Sequence, residues 1–276
     1  MSVPDDDFES VRREPDPRRQ GRRATELLAL YQQRTIELAR LRREGIRRLQ
    51  QEEGLSYAAV AAEFGLSKGR IGQITQSAPP AERALFGVGP VGLAVPLRAG
   101  GARSLPVVAS EDLLAYERLA AYLRELMFQV EQVRIPVGGA WTPRGDVVAI
   151  CGPKSSPVTA AALAADPLLD YREADGRWEI VDRVTGTAYR SPLDDGGTGR
   201  DIAYVGRLPV PGGGTVLLVA GVHALGSVGA VDWLVGHAAE LYRQVGEGPF
   251  SMVTASRHDG ERVVTSQALC PARRHG

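Results

Sequence analysis

Two apolar runs, Asp146-Val-Val-Ala-Ile-Cys151 and Thr215-Val-Leu-Leu-Val-Ala220, constrain the fold more than any other part of the sequence. Neither alternates between apolar and polar residues, so each reads as a strand of a sheet covered on both faces. Each run ends at a glycine, Gly152 or Gly221, and leads into a helical pattern: Pro157 to about Ala165 after the first, Val228 to Val245 after the second. Strand, turn and helix used in this way predict a Rossmann-like three-layer α/β domain over residues 104–276. Shorter strands are predicted at 105–109, 129–135 and 202–207, with a helix from Ser110 to about Phe128. One hairpin is predicted around Thr185-Gly186 and a terminal one around Asp259-Gly260.

The loops after the two buried strands carry the candidate chemistry. Right-handed crossovers would bring them to one edge of the sheet. In the first, Gly152 turns the chain, and Lys154, Ser155, Ser156 and Thr159 offer a charge and hydroxyls at the start of a helix, where free amides attract anions. The spacing is not that of a Walker A loop. In the second, Gly221, His223, Gly226 and Ser227 open the long helix. This is not the G-x-G-x-x-G fingerprint, and His223 reads equally well as a structural histidine. Ser110 and Glu111, followed by Asp112, are expected on the same rim. That acidic loop loosely resembles the start of TIR-like and nucleoside-processing Rossmannoid domains. Ligand class is therefore expected to be phosphate-bearing or nucleotide-like, with Ser110-Glu111-Asp112 as a simple helix start the alternative.

The N-terminal part reads differently. Residues 1–23 are charged and hold Pro4, Pro15 and Pro17, which predicts a disordered arm. From Ala24 a long helical pattern runs to about Glu53, with a break expected near Gly45 and more apolar residues than a small domain can cover, which points to a homodimer, with a long interdomain helix the competing explanation. Residues 55–76 then read as a helix-turn-helix. Ser56 caps a helix whose buried face carries Val60 and Phe64, Ala61 sits at the crossing, Gly65 turns the chain and Leu66 plugs the core. Ser67 caps a second helix with Ile71 and Ile74 inward, leaving Ser67, Lys68, Arg70, Gln73, Thr75 and Gln76 for phosphates and base edges. The run Ser67-Lys-Gly-Arg-Ile-Gly-Gln-Ile74 resembles the recognition helix of region 4 of primary-type sigma factors, over about residues 50–78 only. Gly69 and Gly72 depart from that pattern. The resemblance implies double-stranded DNA as a partner; no other sigma-factor region is visible. Residues 24–78 are thus expected to form the DNA-binding domain and 79–103 a linker with a short helix or strand.

The chain has 276 residues, with 33 basic against 33 acidic, so bulk charge does not make it a polyanion binder. The arginines are concentrated between Arg12 and Arg48, beside the predicted reader, where they would supply salt-dependent DNA affinity or simply a solvated face. Cys151 and Cys270 lie far apart without metal-ligand spacing, and Asp194-Asp195 brings no third ligand, so no metal or cofactor is expected. No apolar run approaches a membrane span, and a cytoplasmic location is expected. These readings point to a ligand-sensing DNA-binding transcriptional regulator. The alternatives are a nucleotide-processing enzyme using Glu111, Lys154 and His223, and a DNA-binding protein with an interaction or dimerisation domain.

Overall fold

The computed structural model describes residues 4–100, 105–210 and 214–276. Residues 1–3 of the predicted arm and 101–103 of the predicted linker lie outside the described residues. The chain opens with two helices, α1 (Pro4–Arg12) and α2 (Pro17–Glu52). The segment expected to be a disordered arm is therefore helical from Pro4. Asp16 caps α2 by accepting a hydrogen bond from Arg18 N, and Pro17 takes the first helical position, where its missing N–H has no partner to lose. Arg19 and Arg23 reach back to Glu14. α2 also passes Gly45 unbroken: one interior glycine costs about 1 kcal/mol, which the packing of the neighbouring Ile46 against α3 and α4 can offset.

Two short helices follow, α3 (Tyr57–Glu63) and α4 (Lys68–Ser77), joined by a turn through Gly65 at φ 62°. They pack on the end of α2 around the buried Ile46, Val60, Ala61, Ile71 and Ile74, with Leu49, Leu55 and Leu66 at the margin. Phe64 does not share the buried face with Val60. α3 stops at Glu63, so Phe64 falls in the turn and is 38% exposed.

The rest of the chain builds two sheets. The larger contains β1 (Val91–Pro96), β2 (Val130–Ile135), β3 (Asp146–Ile150), β7 (Arg200–Pro209), β8 (Thr215–Gly221), β9 (Phe250–Asp259) and β10 (Arg262–Arg274). Its order is β10-β9-β7-β8-β3-β1-β2. β2, β1, β3 and β8 are parallel, whereas β7, β9 and β10 continue the sheet as antiparallel neighbours. The smaller sheet is antiparallel: β4 (Leu169–Ala174), β5 (Arg177–Asp182) and β6 (Ala188–Arg190).

Helices α5 (Ser110–Glu125) and α7 (Ala224–Val245) cover one face, packing Leu119, Leu123, Val231 and Leu234 on Leu93, Val148 and Leu217. The other face is covered by α6 (Pro157–Ala164) and the small sheet, with Leu163, Tyr171 and Ile180 against Ala149, Tyr204 and Leu218. The result is a layered α+β body, but half of its main sheet is antiparallel and one outer layer is largely sheet, which departs from a doubly wound pattern.

Two boundaries differ from the sequence reading. The segment 79–103, expected as a linker with a short helix or strand, holds both a 3-10 turn at Ala81–Phe86 and β1, and β1 is built into the main sheet between β3 and β2. Gly92 interrupts the apolar run there and hid the strand; a Cβ at that position would stand 3.1 Å from Val133. Conversely, the apolar run at 105–109 forms only a bridge from Val107 to Arg98, and Leu105 is 84% exposed.

Polar side chains fix α2 to this body. Arg40 is buried and binds Glu37, Glu44 (2.9 Å) and Glu247 (2.9 Å), with the Tyr242 hydroxyl at 3.4 Å. Arg83, fully buried, donates to Gln33 Oε1 (2.9 Å), Leu126 O (2.8 Å) and Val88 O (2.6 Å), and lies over the Phe128 ring. Arg43 donates to Ala78 O and Pro79 O. Arg40 and Arg43 are therefore structural and are withdrawn from the basic DNA-facing set.

Candidate functional site

The parallel strands β1, β3 and β8 end together on one edge of the main sheet, and a cavity of about 370 Å³ opens there. β1 leads on to β2 at one side, while the chain after β2 returns to β3 at the other. The loops following β1 and β3 therefore diverge, the place where open α/β sheets hold ligands. The walls come from the ends of the three strands, the starts of α5 and α7, and the aromatic pair Tyr171 and Trp178 of the small sheet.

Of the predicted ligand residues, Gly152, Lys154, Ser155, Gly221, His223 and Ser227 line this cavity. Lys154 is exposed, and its Nζ stands 5.3 Å from the centre of the Trp178 ring. Trp178 meets Tyr171 edge to face at 5.5 Å, and the Tyr171 hydroxyl donates to Gly221 O. The cavity thus offers a cation beside an aromatic wall.

The remaining candidates are placed elsewhere. Ser156 is buried as the N-cap of α6, donating to Gly139 O at 3.0 Å and accepting from Trp141 Nε1, while Thr159 lies in the interior beneath the loop. Ser110 and Glu111 hydrogen-bond to each other on the outside of the first turn of α5. Asp112, one position further round the helix, faces the cavity instead.

The second loop is also rearranged. Asp201, buried on β7, accepts hydrogen bonds from Ser191 Oγ (2.7 Å) and Ile202 N on one oxygen, and from His223 N (3.2 Å) and Gly226 N (2.6 Å) on the other. The chain's own carboxylate therefore fills the anion position at the start of α7. Burial raises the Asp201 pKa, against those hydrogen bonds. Gly221 and Gly226 serve packing: a Cβ on Gly221 would strike His223 O and Ser227 N, and one on Gly226 would strike Ile202 O. Ser227 Oγ accepts from Gly221 N, and His223 Nε2 lies 2.9 Å from Asp194 Oδ1. His223 is tied to the 3-10 turn Pro192–Asp195.

Sequence reasoning missed Arg98, Tyr171 and Trp178. Arg98 follows β1, the strand taken for linker, and the two aromatics sit on β4 and β5, far from either glycine loop in sequence. Arg98 Nη2 binds Asp112 Oδ2 at 3.0 Å. No hydrogen bond from the described residues reaches Asp112 Oδ1, and the residue, otherwise buried, lines the cavity. Burial lifts the Asp112 pKa above its ordinary value, with Arg98 opposing. Burial also pushes the Cys151 thiol up to about 12, so it is no thiolate nucleophile at neutral pH.

A second surface lies on α4. Lys68, Arg70, Gln73 and Gln76 are exposed along it, with Arg70 Nη1 donating to Gln73 Oε1 at 3.2 Å. Ser67 caps the helix through Arg70 N. Thr75 is half-buried and its hydroxyl donates to Ile71 O, which turns it from an outward contact to a helix-internal one. A Cβ on Gly69 or Gly72 would meet nothing within 4 Å.

Comparison with protein-family models, with curated proteins and with solved structures finds no match to this chain. Among the described residues no helix is long and apolar enough to cross a membrane, and no cluster of histidine, cysteine and carboxylate residues suits a metal ion.

Proposed function

We propose that the protein is a DNA-binding transcriptional regulator whose α/β body senses a small phosphate-bearing or nucleotide-like ligand. The observation that carries the DNA reading is α4: a short helix anchored by Ile71 and Ile74 and projecting Lys68, Arg70, Gln73 and Gln76 from one exposed surface. With α3 it would act as a helix-turn-helix, α4 entering the major groove. Arginine and glutamine suit guanine and adenine edges, and Lys68 near the helix start suits a phosphate.

The ligand reading rests on the cavity at the diverging strand ends. Lys154 supplies a charge for a phosphate, Trp178 and Tyr171 a wall for a planar group, and Asp112 Oδ1 an acceptor for an N–H. With α7 capped internally by Asp201, the anion-binding part of the cavity narrows to Lys154, Arg98 and the Gly152–Ser155 loop. A volume of about 370 Å³ suits a nucleoside-sized ligand.

Selection of duplexes from a random-sequence pool by the purified protein tests the DNA reading. Arg70→Ala and Gln73→Ala should each weaken binding to the enriched sequence roughly tenfold or more, since a good bidentate base contact is worth about 1–3 kcal/mol. Enrichment of no sequence, or variants that bind as well as the parent, would reject it. Native mass spectrometry with a nucleotide panel tests the cavity: a bound nucleotide lost in Lys154→Ala supports it, and failure of the whole panel removes that ligand class.

A further inference from the structure

A second cleft, of about 460 Å³, lies between the two sheets, away from the residues that line the first cavity's cation and aromatic wall. Its defining feature is a register pair. Arg200 of β7 stands directly opposite Arg257 of β9, and Arg257 is in turn opposite Thr265 of β10. Both arginines are exposed, and among the described residues neither has an ion pair or side-chain hydrogen bond. Nearby charges do not serve them: Glu179 holds Arg190 and Arg172, Asp195 holds Arg177, and Asp201, which also lines the cleft, already accepts four hydrogen bonds on its carboxylate. Asp259, next along the same face of β9, makes no ion pair.

Like charges directly opposite on neighbouring strands destabilise a sheet. Here the pair sits at the mouth of a cleft with apolar walls from Pro192, Ile202, Ala255 and Leu269, and with the Thr265 hydroxyl and Gln267 amide beside it. We propose that this cleft is a binding site for a phosphate-bearing small molecule, the phosphate straddled by Arg200 and Arg257. A phosphate carries about −1.5 to −2 charges and three acceptor oxygens, enough to face two guanidinium forks at once, where a carboxylate has two oxygens and one charge. The apolar walls take the body of the ligand. The site is independent of the proposed sensor cavity and stands or falls separately from it.

Thermal unfolding in inorganic phosphate, compared with sodium chloride at equal ionic strength, tests the proposal, since general screening acts in both. Phosphate should raise the Tm of the parent beyond chloride, as any ligand of the native state does. Arg200→Gln and Arg257→Gln should lose most of that shift, while in chloride each should melt at or above the parent, by roughly 1–3 °C, because the repulsion is relieved. Lys154→Ala should keep the phosphate shift. The proposal is overturned by a phosphate shift no larger than that of chloride, by one that survives both arginine substitutions, or by one abolished in Lys154→Ala, which would move the anion to the first cavity. A lowered Tm of the arginine variants in chloride would also overturn it, since the pair would then be a stabilising contact.

Discussion

Asp112 and Asp201 show how one residue type does two jobs along one edge of the main sheet. Asp201 has four donors and closes the start of α7; Asp112 has one, Arg98, and a cavity in front of its other oxygen. A buried carboxylate that is only half satisfied costs stability, and such groups gather at binding sites. The sign of its pH dependence follows from its raised pKa. A carboxyl whose folded pKa lies above its unfolded value favours the fold most at low pH, and that contribution is lost as pH rises through the folded pKa. Asp112→Asn, which never charges, should therefore gain Tm relative to the parent as pH increases from the ordinary carboxylate value of about 3.8 toward neutrality. Melting curves across that range check it; a difference that is flat or shrinks with pH would show that Arg98 fully compensates the charge.

At the scale of elements, what was legible depended on whether burial repeats at short range. The strands at 146–151 and 215–220, and the capped pair α3 and α4, announce themselves through continuous apolar runs or serine caps with isoleucines at helical spacing. β1 did not, because Gly92 interrupts it, and β4 did not, because its alternation is broken by Arg172 and Glu173. The inward face of α2 was not legible either. Its buried contacts are Gln33, Arg40 and Ile46, with Glu37 and Glu44 beside them, so polar residues face the body while Leu28, Leu38 and Leu41 face outward. Leu38 and Leu41 are 65% and 46% exposed, and with Leu27, Tyr31 and Arg34 they keep the alternating 4 and 3 spacing of a helix seam. If a second copy of the chain covers this seam, Leu38 and Leu41 lie in the contact. Sedimentation should find a dimer for the parent and a monomer for Leu38→Glu/Leu41→Glu, with the Tm of the fold little changed because neither side chain is buried. A monomeric parent would leave the outward leucines without that role.

Across the whole molecule, the cavity lies at the starts of α5 and α7, and α2, which carries α4 on its far end, meets the other ends of those two helices. α5 and α7 both start at the cavity, at Asp112 and at His223–Ser227. Past the end of α5, Leu126 O and Met127 O accept from Arg83 and from Gln33 of α2, and near the end of α7 Tyr242 and Glu247 meet Arg40 of α2. α2 then runs on to Ile46 and the core it shares with α3 and α4. Burial holds the Arg83 pKa down to about 10, against Glu37, so this junction is a buried charge whose few partners must all stay in place. Such a junction favours discrete arrangements over gradual yielding, and a small displacement at the starts of α5 and α7 would be felt at α2. If a ligand in the cavity changes the affinity of α4 for DNA, linkage requires that DNA on α4 alter the cavity in turn. With a duplex selected by the protein itself, hydrogen exchange at Gly152–Ser155 and at the start of α5 should change on DNA binding. Glu247→Ala removes one arm of the junction from an exposed position, leaving Arg40 to Glu37 and Glu44, and should cost about 1 kcal/mol or less in stability. It should nevertheless diminish the exchange response at the cavity while leaving DNA affinity near that of the parent. If DNA changes exchange only in α4 and its neighbours, α5 and α7 are scaffold, and the reader and the cavity act independently.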